Sequence, residues 1–468
     1  MAASPLMGFV HRRRRGAELF LLVIALLVGL GAYLAVGLGV DGAVPTNLAT
    51  YGSWLAALII AAHVTVRLVA PYADPVLLPI VAALNGLGLA LIHRIDLAVN
   101  SSNASKQLMW MTLGVALFIA TLFLIRDHRV LGRYTYTFGL GAIVLLALPM
   151  LPVIGTEVNG SRIWVHLGPL SLQPGELAKV LLVLAFAGYL VGHRDALALA
   201  GRRVLFIDLP RGRDLGPILA MWVISMCILV VQKDLGSSLL FFGIFLVMLY
   251  VATERSGWLY VGAAMFLAGA LAAYKLVAHV TERVDIWLHP FQDANGTGYQ
   301  LVQGIYSFSW GGLLGRGLGQ GMITLGSGSD VQLRVPEEHT DFILALVGEE
   351  LGLTGVIAVL LLYGLIVERA LRAALIARDG FGKLVAAGLG CVLAIQVFVV
   401  IGGVTRLIPL TGLTTPFLSY GGSSLIANWV IVALLLRISD QARRPMPDLT
   451  ETEAPDEQET QIVKVVSD

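Results

Sequence analysis

The chain has 468 residues, of which 57% are hydrophobic and only 13% charged, with 52 glycines and a net charge of +1. The charged share is about half that of an ordinary globular protein. These figures exclude a disordered chain, a basic nucleic-acid binder and a string of soluble domains. The two cysteines, Cys227 and Cys391, exclude a disulfide scaffold and read as small buried apolar residues. The composition is that of an all-α polytopic membrane protein.

A bilayer core of about 30 Å needs some 17–25 mostly apolar residues per helix. Arg12 to Arg15 precede a first apolar run over 19–39. The run is long enough to span and lacks a small-residue cleavage site, so it reads as an anchor and not a signal peptide. Further runs follow at 50–70, 75–93, 107–125, 134–152 and 176–192, then at 215–232, 237–252, 257–279, 342–367, 384–404 and 420–437. Twelve helices are expected. The tail after them is rich in Pro, Thr, Asp and Glu and reads as disordered over 438–468.

Alternate connections differ sharply in basic residues. One set holds Arg12 to Arg15, then Arg67, Arg126, Arg129 and Arg133, then the arginines between 194 and 213, and later Arg255, Arg369, Arg372, Arg378, Lys383, Arg437, Arg443 and Arg444. The other set carries only Arg94, Lys106, Arg162, Lys233, Arg283, Arg316, Arg334 and Arg406. Lys and Arg are retained on the cytoplasmic side of short loops. Both termini are therefore expected in the cytoplasm of a plasma membrane, with the sparse connections outside.

Three of the outer connections carry the chemistry: 153–175, 280–341 and 405–419. The middle one runs to roughly 60 residues, a length that is usually functional or disordered. Its Trp287, Phe291, Tyr299, Tyr306, Phe308 and Trp310 alternate with glycines, which favours a folded cover over the membrane surface. No nucleotide-binding glycine loop and no zinc helix motif occurs in the sequence. Twelve helices alone suit a transporter, yet no internal repeat relates the two halves.

Within 280–341, Asp293 lies in Gln-Asp-Ala-Asn-Gly-Thr-Gly-Tyr299-Gln300. It reads either as a turn residue or as a general base whose glycine neighbours admit a bulky ligand. Glu349 and Glu350 fall about two turns into the apolar run 342–367, where an ionisable group costs roughly 2.5–3.5 kcal/mol on insertion scales. They face either a buried Arg or His of this loop or a water-filled cavity. Glu176 and Lys179 are three apart on a helix started by Pro174, so they form a local ion pair or line a polar cavity together. Trp164 reads as an interfacial aromatic anchor. The stretch from Arg406 through Pro409 and Pro416 to Ser419-Tyr420-Gly421-Gly422 is either a re-entrant, cavity-lining segment or a tight turn between packed helices. Outward carboxylates, aromatics and the cations Arg162, Lys179, Lys233 and Arg406 suit an anionic, sugar-bearing lipid.

These segments together resemble the SEDS family, the membrane peptidoglycan glycosyltransferases that include RodA, FtsW and their relatives. The matching pieces are Asn159 to Trp164 with Gln173-Pro174-x-Glu176, Asp234-Leu235-Gly236, Asp293 to Gln300, Pro336 to Gly352 with His339-Thr340-Asp341-Phe342, and Pro416 to Ser424. The resemblance spans about residues 75–437, and the wording of the loops is most like that of actinobacterial members. The implied organisation is two extra N-terminal helices within 1–70, a ten-helix core over 71–437 and the tail.

The resemblance implies a reaction: an acceptor sugar hydroxyl attacks C1 of the donor MurNAc of lipid II, and undecaprenyl pyrophosphate leaves with inversion. It maps the essential loop aspartate onto Asp293 as general base. It places Arg162, Trp164, Glu176, Lys179, Asp234, Tyr299, Gln300, His339, Thr340, Asp341, Glu349, Arg406 and Ser419 around the substrate. A divalent cation, Mg or Mn, is a candidate helper, and a class B penicillin-binding protein is the implied partner. Departures from the family pattern are His289 before Pro290, Gly175 after Pro174, Lys233 before Asp234, and a polar Thr411 to Thr415 run. Two other functions stay in view, a lipid II flippase and a non-catalytic scaffold. The outward placement of the ionisable groups and the presence of Asp293 favour the enzyme. Within that class, a division role like that of FtsW is the alternative to cell elongation.

Overall fold

The computed structural model describes residues 13–158, 160–168, 170–194, 202–204, 207–209, 212–326 and 331–445. Arg12, Asn159, Arg211 and the expected tail beyond 445 lie outside the described residues. Apolar runs become helices because lipid offers the backbone no hydrogen-bond partner. They form α1 (Arg15–Asp41), α2 (Leu48–Val69), α3 (Leu77–Val99), α4 (Asn103–Leu124) and α5 (Thr135–Ala147), the last flanked by 3-10 segments at His128–Tyr134 and Leu148–Met150. Then come α6 (Pro174–Gly192), α7 (Gly212–Val231), α8 (Leu235–Thr253), α9 (Gly257–Leu276) and two short helices, α10 (Ala278–Leu288) and α11 (Tyr299–Gly311). The chain closes with α12 (Ile343–Glu350), α13 (Gly352–Ile376), α14 (Gly380–Val404) and α15 (Gly422–Arg443). Among the described residues, eleven helices are long and apolar enough to cross a membrane, and the shorter apolar stretch of α7 accounts for the twelfth expected crossing. The last helix runs to Arg443, so 438–443 is helix and not the start of the tail.

Of the eleven long apolar helices, the most enclosed are α3 and α15. The two N-terminal helices are fastened to this centre by a glycine crossing. A Cβ on Gly29 of α1 would lie 2.9 Å from the Cα of Gly86 in α3, so the backbones meet as only small residues allow. At the rim, α9 presents Leu267, Leu271 and Leu276 outward, as a lipid-facing helix does.

Alternation of the helices puts three irregular regions at one end of the bundle. The first is a three-stranded antiparallel sheet of β1 (Gly155–Val158), β2 (Ser161–Leu167) and β3 (Leu170–Leu172), in which Trp164 faces Thr156 across the ladder. At the opposite, arginine-rich end, β4 (Arg202–Val204) and β5 (Ile207–Leu209) pair as a hairpin. The second region holds α10, α11 and the small pair β6 (Thr324–Leu325) and β7 (Gln332–Leu333). The third is the connection 405–421.

One expected helix is two. The run 342–367 breaks at Leu351, with Gly352 at φ +68°. A broken helix exposes the last carbonyls of its first half and the first N–H groups of its second. The loop 312–317 supplies both sets of partners. Arg316 N and Gly317 N donate to the carbonyls of Glu349 and Glu350 at 3.0 and 2.9 Å. Leu353 N and Thr354 N donate to the carbonyls of Gly312 and Leu313 at 3.0 and 3.1 Å. Gly315 passes so close that a Cβ would lie 2.3 Å from the Glu350 carbonyl oxygen, which explains a glycine there at φ +79°.

The connection 405–421 is re-entrant. Phe417, Leu418 and Ser419 are buried, and side chains from three helices serve its backbone. Gln107 Nε2 donates to Ser419 O at 3.0 Å, Gln396 Nε2 to Thr414 O at 2.9 Å, and the Tyr363 hydroxyl to Pro416 O. Non-helical backbone at this depth persists only where protein satisfies it.

Candidate functional site

Asp293 occupies the turn between α10 and α11. His289 N and Gly296 N close this turn on the carbonyls of Asp285 and Asp293, at 2.8 and 3.2 Å. The Asp293 carboxylate bends back over Gly296, where a Cβ would meet its Oδ2 at 2.3 Å. Oδ2 accepts from Thr297 N at 2.8 Å and from the Thr297 hydroxyl at 3.2 Å. Oδ1 takes no hydrogen bond from the described residues. The side chain is exposed and lines a cavity of about 500 Å³ together with Glu282, Asp285, His289, Gln292 and Thr297. One oxygen is thus oriented by its neighbours while the other takes no hydrogen bond from the described residues at the cavity wall. Of the two expected readings, the turn residue is the one the hydrogen bonds display.

Arg406 sits at φ +62° and grips the end of α10, its Nε and Nη2 donating to the carbonyls of Trp287 and Leu288 at 2.8 and 2.7 Å. Trp287 Nε1 returns a bond to Arg406 O at 3.1 Å. A cation on the last carbonyls of a helix is favourable for both. Arg406 therefore fixes the segment leading to Asp293 and is not a free anion ligand. Arg283, which composition alone did not single out, ties α10 to the same connection from the helix side, one turn earlier. Its Nη1 donates to Leu410 O at 2.8 Å, and it is electrostatically coupled to Asp341 and Asp234. Its only sequence signal is an Arg set in the aromatic stretch before Asp293.

Tyr299 and Gln300 open α11, and Gln300 Nε2 donates to Pro336 O at 2.9 Å. The segment that follows Pro336 is held in turn: Thr340 donates to Glu337 O at 2.9 Å and to Asp341 Oδ1 at 3.1 Å. His339 lies 5.6 Å from the Tyr420 ring, and its carbonyl accepts from Tyr420 N at 2.8 Å. Burial pushes the Asp341 carboxyl up to about 6 and keeps His339 below its usual value. Glu338 is wholly buried, with neither oxygen hydrogen-bonded among the described residues, and burial pushes it up to about 8.

Several expected substrate contacts are placed away from the Asp293 cavity. Glu349 is 0% exposed; it pairs with Arg334, and its Oε1 accepts from Met322 N at 2.7 Å. Its neighbour Glu350 pairs with Arg94 at 2.8 Å and accepts from Gly319 N at 3.0 Å. Both oxygens of each carboxylate are engaged, so Glu349 fastens the loop and does not line the Asp293 cavity. Glu176 and Lys179 are 2.5 Å apart and buried, with Lys179 also donating to Gln396 Oε1 at 2.8 Å. Here the local ion pair is the arrangement observed. Asp234 caps α8 by accepting from Ser237 N at 2.9 Å, and Ser419 Oγ accepts from Thr415 N at 3.0 Å. Arg162 is exposed on β2, with Glu157 at 3.3 Å, and Trp164 is half-buried in the same strand. Among the described residues no three acidic, His or Cys side chains come together as a metal cage.

The FtsW, RodA and SpoVE cell cycle protein family model matches residues 75–444. Peptidoglycan glycosyltransferase RodA of Mycobacterium tuberculosis is 49% identical over 440 residues, covering 92% of each chain, and that of Mycobacterium leprae is 47% identical over the same share. A probable FtsW of Geobacter metallireducens is 36% identical over 72% of this chain and 85% of its own. Among solved structures, one from a peptidoglycan synthase complex that coordinates polymerization and crosslinking superposes with a TM-score of 0.63 at 30% identity, over 79% of this chain and 98% of that one. A variant of Thermus thermophilus RodA gives 0.55 at 27% identity, over 78% and 97%. This chain belongs to the FtsW, RodA and SpoVE family, as a polytopic all-α membrane protein more similar to the mycobacterial RodA proteins than to that FtsW.

Proposed function

We propose that this chain is a peptidoglycan glycosyltransferase of RodA type that polymerises lipid II during cell elongation. The observation that carries the reading is Asp293: a carboxylate oriented through one oxygen, open through the other, on the wall of a cavity large enough for a saccharide. The acceptor 4-hydroxyl gives its proton to Oδ1 as its oxygen bonds to C1 of the donor MurNAc. The bond from C1 to the pyrophosphate breaks on the opposite face, which inverts the anomeric centre. General-base assistance of this kind is worth roughly 10²–10⁴-fold. The loop-rich end faces outside, because the opposite end carries most of the arginines. The steps above draw on side chains of this chain alone. A crosslinking class B penicillin-binding protein is the proposed partner, by analogy with the synthase complex whose structure this chain resembles.

The test is to supply purified lipid II to the full-length protein in nanodiscs. Glycan strands, with release of undecaprenyl pyrophosphate, are expected. Transfer of lipid II between leaflets of sealed vesicles with no polymer formed would overturn the reading in favour of a flippase.

A further inference from the structure

Helices α1 and α2 precede residues 75–444, the part that matches the family, and the reaction above gives them no task. Their far end nevertheless touches the large loop. Gly39, in the last turn of α1, lies against Leu318: a Cβ there would sit 2.2 Å from the Leu318 carbonyl oxygen and 3.0 Å from the Gly319 Cα. Gln320 Nε2 donates to the Gly39 carbonyl at 2.5 Å. The Leu318 side chain packs into an apolar cluster that includes Tyr33 of α1 and Tyr51 of α2. Tyr33 stacks on His93 of α3 with ring centres 4.3 Å apart, and His93 adjoins Arg94, the partner of Glu350.

Contacts continue without a gap from this plug to the cavity. Gly319 N and Gly321 N hold the Glu350 carboxylate at 3.0 and 3.3 Å, at the end of α12. Helix α12 packs on α11, where a Cβ on Gly311 would meet Gly348 O at 1.8 Å and the Phe308 ring covers Gly348. Helix α11 begins directly after the Asp293 turn.

We propose that α1 and α2 act as a positioning strut for the loop that carries Asp293, with Gly39, Leu318 and Gln320 as its contact residues; this rests on the reading of Asp293 as the base. A loop outside the bundle has few apolar contacts of its own, and a base displaced by about 1 Å can cost a hundredfold in rate. The strut uses close backbone approach at Gly39 and one half-buried leucine to remove that freedom.

The experiment compares wild type with Gly39→Val, Leu318→Asn and the conservative Leu318→Met, all full length in nanodiscs. Two readouts are taken: amide hydrogen exchange and lipid II polymerisation kinetics. In Gly39→Val and Leu318→Asn, exchange over 312–322 and over 290–298 is expected to quicken. In both, kcat falls roughly tenfold or more with KM unchanged, and Leu318→Met keeps wild-type values. Leu318→Asn carries the test if Gly39→Val does not fold. Faster exchange at 312–322 with 290–298 unmoved, or an unchanged kcat, overturns the strut. If wild type makes no polymer, the enzymatic reading fails, while the exchange data still decide whether the strut reaches the Asp293 turn.

Discussion

Asp293 and the Glu349–Glu350 pair stand in the same outer region, and they show opposite ways of using a carboxylate. The pair is wholly enclosed, and arginines and backbone N–H groups from the loop meet both side chains. Asp293 is exposed, and only one of its oxygens is engaged. A carboxylate with both oxygens engaged holds structure together. One that is held but not filled can take a proton. The difference lies in the partners and not in the residue type.

The largest effect expected from breaking this comparison is on stability. Glu350→Ala leaves Arg94 buried without its partner, which costs about 3–5 kcal/mol. A marked drop in the apparent melting temperature in detergent checks it, and replacing both Arg94 and Glu350 with Leu should recover most of the loss.

A second expectation concerns pH. Glu338 has a folded-state value raised to about 8 from 4.5, so the native protein holds this proton where the unfolded chain has released it. Stability from this group is therefore greatest below about pH 4.5 and falls as pH rises to about 8. Glu338→Gln should raise the melting temperature at pH 8.5, with the gap closing towards pH 5. A gap that stays constant with pH contradicts this. Asp341, raised to about 6, should make a smaller contribution of the same sign that ends near pH 6.

Thr297→Val removes the hydroxyl that steadies Asp293 but leaves the Thr297 N–H bond. A hydrogen bond to a charged group is worth about 1.5–3 kcal/mol, and exposure puts this one at the low end. A fall in kcat of about tenfold, with KM unmoved and the melting temperature lowered by a few degrees at most, is the expected result. The smallest effect is expected at His289, which shares the cavity without touching Asp293. His289→Asp should polymerise lipid II as wild type does, and an inactive variant would show that His289 takes part in the chemistry.

The helices were legible because a lipid core imposes a length and a polarity on every crossing, and the sequence shows both. The break at Leu351 was not legible. Apart from Glu349 and Glu350 the run 342–367 reads as one apolar span, and the groups that satisfy the broken ends belong to Gly312–Gly317, dozens of residues earlier and without any local signature. The same distance hid the fate of Glu349: an enclosed acid implies a partner, but only folding brings Arg334 to it. Lys179 was readable as the partner of Glu176 because three residues on a helix make a face, whereas Gln396, which completes the pair, was not. Asp293 stood out through its glycines and through the family pattern. Arg406 looked like an anion ligand and Arg283 like an ordinary loop cation, and both donate to backbone carbonyls, which leave no mark in a sequence.

The most direct measurement is the polymerisation rate of Asp293→Asn with purified lipid II, taken beside its melting temperature. The amide keeps the shape and the contact to Thr297 but cannot accept the acceptor's proton. Loss of polymer at an unchanged melting temperature is the predicted result. Glycan formed at the wild-type rate by this variant would contradict the assignment.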